Sequence, residues 1–212
     1  MRRTIAISAS VVLILVLSFG SLLIVSFYRR WQASRLLAVV RQLDPGTTTE
    51  AQSRVLLKQF AEYEVKSEQS DPRDLVQYDF INLPKWHPLR FTLPWTLFTV
   101  NIEFVDGLVA RIDVTEMQED HRGYPHPNSA SVSIYSHRLR LSPDDFNGYS
   151  EHSRSTGQVD SQGKWTGFEC CHARFIELDG RATPSQLSRS LNFRLSCMTS
   201  FVRCKDDRQI LP

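Results

Sequence analysis

The chain has 212 residues, enough for one domain and short for two. Its composition is 42% hydrophobic, 23% charged and 10% aromatic, which excludes a largely disordered chain. With 9 Gly and 10 Pro, collagen-like and Pro-rich architectures are excluded too. The formal charge is +2, and Arg2 and Arg3 in the first 27 residues account for it. The neutral remainder lacks the electrostatic footprint of a nucleic-acid binder.

Residues 4–27, TIAISASVVLILVLSFGSLLIVSF, carry no charge. A helix of that length rises about 36 Å, against a hydrocarbon core of about 30 Å. Backbone crossing lipid must satisfy its own hydrogen bonds, so the spacing predicts a helix. Arg2 and Arg3 precede the run, and Tyr28, Arg29, Arg30 and Trp31 follow it, as suits a headgroup boundary. The run is too long for a signal-peptide core, and Ser26-Phe27-Tyr28-Arg29-Arg30 does not resemble a small-residue cleavage site. No cysteine lies nearby to accept a lipid. Residues 1–28 therefore read as an uncleaved anchor, with the lipid bilayer as partner through residues 4–27. The flanking charges, Arg2 and Arg3 against Arg29, Arg30 and Arg35, are nearly balanced. The signal-anchor layout, and four cysteines confined to the last 43 residues, favour an extracytoplasmic C-terminal domain.

From Trp31 onward Leu36, Val39, Val40 and Leu43 fall at helical spacing, and Asp44-Pro45-Gly46 stops the helix. Nothing between residues 28 and 43 breaks it, so span and helix read as one rod. Thr47 and Glu50 have capping-box spacing. A second helix is expected over about 49–64, with Leu56, Phe60 and Tyr63 on one stripe. Residues 29–65 thus form a helical stalk or αα-hairpin. Either the stalk binds a partner or self-associates, or its helices pack on the domain's own sheet, the commoner fate of an amphipathic helix.

Residues 66–74 read as a linker and 75–83 as a strand. Leu89, Phe91 and Leu93 alternate like another. The clearest pair is 97–105 with 108–117, where Phe98, Val100, Ile102 and Phe104 share one face and Leu108, Ala110, Ile112 and Val114 another. A two-residue Asp106-Gly107 turn places Ile102 opposite Arg111 and splits the two apolar faces. Parity therefore favours a three-residue loop, Val105-Asp106-Gly107, pairing Phe104 with Leu108 and Ile102 with Ala110, with positive φ at Gly107. A strand near 130–140 carries Ala130, Val132 and Ile134. Residues 141–163, rich in Ser, Asp and Gly, read as irregular connection. Residues 164–178 read as a strand. Thr183-Pro184 opens a short helix, and Phe193, Leu195 and Cys197 alternate like a last strand. The fold class is α+β: an N-terminal transmembrane helix, the stalk or αα-hairpin, then one mostly antiparallel β-sheet domain over 75–212 with a short C-terminal helix.

Chemistry-bearing patterns are sparse. Cys170 and Cys171 are adjacent on a strand and point to opposite faces, with Cys171 sharing parity with Ala173 and Phe175. Cys197 and Cys204 can pair only if the chain turns between them. The expected bond is Cys197–Cys204, or a link from this tail to the strand bearing Cys171. There is no C-x-x-C or HExxH, so no metal site is expected, and no nucleotide or cofactor motif is present.

Two function classes compete. The favoured one is a non-catalytic binding or accessory module at the membrane, its partner a protein or an envelope ligand. Its recognition surface is placed on the loops 118–128 and 141–163, at His121, Tyr124, His126 and Tyr149. The alternative is a membrane-anchored metal-dependent or histidine-based enzyme using His121, His126 and His152 from the 118–152 loops. No catalytic spacing supports it. The substitution Leu15→Arg, near the middle of the span, costs about 2.5–3.5 kcal/mol of insertion free energy. A glycosylation-based insertion assay should show reduced insertion, and wild-type insertion would contradict the placement of the span.

Overall fold

A computed structural model describes residues 2–65, 74–83, 93, 95–119, 128–137, 148–159, 165–199, 204 and 207–211. The first helix, α1, runs unbroken from Arg2 to Val40. It is long and apolar enough to cross a membrane. Its two halves have different surroundings. Side chains in the middle of the apolar run are open, Leu15 being 63% exposed. From Leu22 onward one face closes: Leu22 is 1% and Ser26 0% exposed. Below that, Ala33, Leu36, Leu37, Val40 and Leu43 are buried in the same cluster as the strands. Their i, i+3, i+4, i+7 spacing is a core-facing helical stripe.

The sheet has seven strands in the order β1-β2-β3-β4-β5-β7-β6. They are β1 (Glu64–Val65), β2 (Asp74–Ile81), β3 (Trp95–Val105), β4 (Leu108–Glu119), β5 (Asn128–Tyr135), β6 (Tyr149–Val159) and β7 (Trp165–Asp179). All neighbours are antiparallel except β5 and β7, which run parallel. The α+β architecture and mostly antiparallel sheet expected from the sequence are present. Along β2 to β5 the even-numbered residues, such as Phe80, Phe98, Val100, Ile102, Ile112, Val114 and Val132, are buried. The lower half of α1, the segment 58–63 and the C-terminal tail share the core cluster with them. The odd-numbered residues form the outer face, which is mostly polar. There Thr99 donates to Asp79, Ser133 donates to Asp113, and Thr115 bonds Ser131.

The hairpin register differs from the parity argument. The turn is the two-residue Asp106-Gly107, both with positive φ (53° and 72°), as a type I′ turn requires. Val105 faces Leu108 and Phe104 faces Val109. The ladder then shifts, so that Glu103 faces Arg111 and Ile102 faces Ile112, leaving Ala110 as a bulge. The extra residue restores the parity that a regular two-residue hairpin breaks, and both Val109 and Ala110 are buried. The displaced backbone finds partners on the far side of β4. Ala110 O accepts from Ser136 N–H (2.8 Å), and Val109 bonds Thr48 O and Gly46 N–H (2.9 and 2.7 Å). The connection after α1 thus acts as a short strand against the start of β4, with Thr49 bridging Leu108.

Other expectations are revised. The helix cap is Thr49 with Gln52, not Thr47 with Glu50; Thr47 instead donates to the Asp44 carboxylate (2.7 Å). Helix α2 is short, Glu50–Leu57, and continues as a 3₁₀ helix over Lys58–Tyr63. Three residues per turn put Leu57, Phe60 and Tyr63 on the buried stripe and leave Leu56 37% exposed. Residues 149–159, read as irregular, form strand β6, a polar edge strand whose Ser- and Thr-rich sequence lacks apolar alternation. Phe193, Leu195 and Cys197 are buried but not in a strand, because Leu195 adopts φ 50° and Ser196–Thr199 turns into 3₁₀. Helix α3 (Pro184–Ser190) begins at Thr183 as expected, with Gln186 completing a capping box. The alternating run at Leu89, Phe91 and Leu93 lies almost wholly outside the described residues, as does the linker 66–73.

Gly107 tests the turn. A Cβ there meets nothing within 4 Å, so any cost of substitution is backbone strain at φ 72° and not a clash. Gly107→Val should destabilise by about 1–3 kcal/mol and Gly107→Asn by less, read from denaturant unfolding in detergent. Equal stability of the valine variant would contradict the turn assignment.

Candidate functional site at the helix–sheet junction

The residues singled out in the loops do not converge among the described positions. Tyr149 stands opposite Leu178 at the start of β6, on the core side. Its hydroxyl donates to Glu151 Oε2 (2.6 Å). Burial, and then that hydrogen bond, push the Tyr149 phenol above its ordinary range. The hydrogen bond from Tyr149, followed by Arg174, holds the Glu151 carboxyl low. Arg174 also donates to Leu211 O (2.5 Å), tying β6, β7 and the C-terminal tail together. His152 lies on the opposite face of β6, stacked on Phe175 with centroids 5.3 Å apart. His121, Tyr124 and His126 lie outside the described residues.

The cysteines resolve more sharply. Cys197 and Cys204 have their sulfurs at disulfide-bonding distance and their Cα atoms 6.1 Å apart. The chain turns between them, as their spacing demanded. Cys171 stands on β7 opposite Thr156, and its side chain lies outside the described positions.

A second cluster sits where α1 meets the sheet. Parity along β4 carries the core face past Ala110, Ile112 and Val114 to Glu116 and Gln118, both buried. Thr96 on β3 and Asn82 after β2 join them. Ser26 of α1 donates to Asn82 O (3.2 Å), and Asn82 Oδ1 accepts the Thr96 N–H (2.7 Å). Thr96 in turn donates to Cys197 O (2.9 Å), and Gln118 Oε1 accepts the Cys204 N–H (2.5 Å). Arg30 of α1 donates to Thr199 Oγ1 (3.1 Å) and to Arg194 O. The segment closed by the cysteine pair is therefore stitched to both α1 and the sheet.

Two members of this network keep buried polar atoms without a partner, Asn82 at Nδ2 and Glu116 at both carboxyl oxygens. Glu116 is 0% exposed, and neither carboxyl oxygen makes a hydrogen bond of normal geometry. Burial pushes its pKa up to about 8, an effect only partly offset by the Arg30 charge and the nearby Leu195 N–H. The neighbouring Leu195 is itself in the left-handed region, which a bulky side chain rarely adopts. Sequence reasoning missed Glu116, although extending the alternation of β4 by two residues would have placed it inward. A proton held here is shut off from solvent, so the group can bias the junction but cannot serve a dissolved substrate.

At the other end of α1 a cavity of about 220 Å³ is lined by Val40, Leu43, Tyr135, Asp179, Leu187 and others. Its one buried carboxylate is already committed. Burial pushes Asp179 up, but hydrogen bonds and charge from Arg181, the closest at 2.7 Å, outweigh this and hold it low. His137 Nδ1 stands 3.7 Å away. Among the described residues no group of three or more His, Cys, Asp or Glu is placed to hold a metal ion. No protein-family model matches the chain, and no curated protein or solved structure is significantly similar to it.

Glu116 has a signature in stability. Its folded pKa of about 8 stands above the ordinary carboxyl value of 4.5, so between those pH values the folded state holds a proton that the unfolded state has lost. Its contribution is fully present below pH 4.5 and is lost as pH rises through about 8. Glu116→Gln keeps the shape and removes the titration. Denaturant midpoints measured across that window should fall with pH in the wild type and fall less in the variant. Parallel slopes would contradict the burial of an unpaired carboxyl.

Proposed function

We propose that this chain is a single-pass membrane protein whose α+β domain is a non-catalytic binding or accessory module, displayed on the extracytoplasmic side. The observation that carries this reading is that the apolar helix and the domain's core helix are one continuous element. A tether that merely localises an enzyme needs no such fusion, whereas a module that presents a surface at fixed height and angle does. The Cys197–Cys204 pair at bonding distance supports an oxidising compartment. The histidine-based alternative gains nothing from His152, whose ring is stacked on Phe175.

The test uses the full chain in native membranes. His121, His126 and His152 are replaced together by Ala, and both bound metal and chemically crosslinked partners are measured. Unchanged metal content with reduced partner capture is the expected result, because His121 and His126 belong to the proposed recognition surface; unchanged capture would remove these loops as that surface. Loss of a stoichiometric metal from the triple variant would overturn the non-catalytic reading. A C-terminal reporter active only in the cytoplasm would overturn the orientation.

A further inference from the structure

The buried face of α1 begins inside the apolar run. Leu22 and Ser26 belong to residues 4–27, yet both are enclosed by the domain. The Ser26–Asn82 hydrogen bond fixes the level of contact. Asn82 pairs with Thr96 through both its backbone N–H and its side-chain oxygen, so the start of β3 stands level with the last turn of the span. If residues 4–23 fill the hydrocarbon, Ser26 falls within the headgroup layer, which is about 5–8 Å thick on each side. The sheet end at this level falls there with it.

The outer face of the sheet is patterned to match. Its rungs at Asp79–Thr99–Thr115–Ser131 and Gln77–Asn101–Asp113–Ser133 are polar. The rung nearest the helix entry is Ile81–Leu97–Met117, and Trp95 stands one step beyond. These four side chains are half-buried and adjoin hydrogen-bonded polar rungs; Leu75 and Phe175 are apolar side chains elsewhere on this face, and neither extends the cluster. On the helix side of the same level Phe27, Tyr28 and Trp31 are exposed, with Arg35 stacked 4.9 Å over the Trp31 ring. Apolar and aromatic side chains thus gather at one end of the molecule from two unconnected elements. Interfacial aromatics are the ordinary marker of a headgroup boundary.

We propose that this end of the sheet, at Ile81, Trp95, Leu97 and Met117, is a second lipid contact that rests in the headgroup layer of the bilayer crossed by α1. The inference depends on the anchor reading of residues 4–27. It makes the domain a body seated on the membrane, with its strands running away from the surface. The Asp106-Gly107 turn is then the distal pole: nine residues of β4 separate Gln118 from Val109, about 30 Å of strand. The β6–β7 ribbon overhangs the same proximal end, because β5 pairs with β7 only from Ala173 onward. A two-stranded ribbon has open backbone edges and cannot enter hydrocarbon. The proposal therefore requires the ribbon to lie along the surface, as the cumulative twist of about 20–25° per strand from β3 to β7 permits.

The experiment places single spin labels on the full chain in phosphatidylcholine vesicles. Cys170 and Cys171 are replaced by Ser, and the Cys197–Cys204 pair is left intact. Labels are introduced as Leu15→Cys, Leu97→Cys and Glu103→Cys. Leu97 and Glu103 share a strand and a face about 20 Å apart. Relaxation by oxygen, which partitions into lipid, is compared with relaxation by a water-soluble nickel complex. The expected result is a hydrocarbon signature at Leu15, an aqueous one at Glu103, and an oxygen-to-nickel ratio at Leu97 several-fold above that at Glu103. An equal ratio at Leu97 and Glu103, with Leu15 still in hydrocarbon, would overturn the second contact and leave the anchor standing. An aqueous signature at Leu15 would overturn both.

Discussion

The burial of one face of α1 against the sheet is the constraint on which the rest of the structure depends. Ala33, Leu36, Leu37, Val40 and Leu43 fill the middle of the core, where they share a cluster with Phe80, Phe98 and Ile112. Full burial of each large aliphatic side chain is worth about 1.5–3 kcal/mol. The lower half of the helix cannot swing without exposing that surface, and the upper half cannot swing without breaking the helix. The apolar half of α1 and the domain are therefore mechanically one piece.

The junction adds directional bonds to this apolar grip. Ser26, Asn82, Thr96, Gln118 and the backbone of Cys197 and Cys204 bond one another in a buried site. Such networks specify geometry because each unmade bond costs more than each made bond gains. Arg30 joins the same segment from the helix side. Glu116 stands among them without a hydrogen bond of normal geometry, as does Asn82 Nδ2, and the surrounding packing has to carry the cost. Within the segment closed by the cysteine pair, Thr199 accepts from Arg30 of α1, so the pair borders one of the contacts that hold the helix.

Much of the architecture was legible in the sequence because its elements are strongly patterned. The apolar run, the alternation in β3, β4 and β5, and the Thr183-Pro184 helix start each follow from one local rule. The errors arose where tertiary context decided. The hairpin register was misjudged because parity assumed a regular ladder, while Ala110 bulges out and finds its backbone partner at Ser136. Strand β6 was missed because its sequence, YSEHSRSTGQV, shows no apolar alternation. The cap moved from Thr47 to Thr49 because Asp44 captures the Thr47 hydroxyl. The junction site was half visible: Glu116 and Gln118 continue a parity already recognised, but only the folded chain brings them under Arg30 and Leu195.

The central claim is that the apolar half of α1 and the half buried in the core form one rigid rod. Pulsed electron–electron distance measurement tests it most directly. Spin labels are placed at Leu17→Cys in the span and Glu103→Cys on the sheet, with Cys170 and Cys171 replaced by Ser and the protein in lipid nanodiscs. A rod packed from Leu22 to Leu43 predicts a single narrow distance distribution. A broad distribution, with the helix and sheet free to reorient, would contradict it.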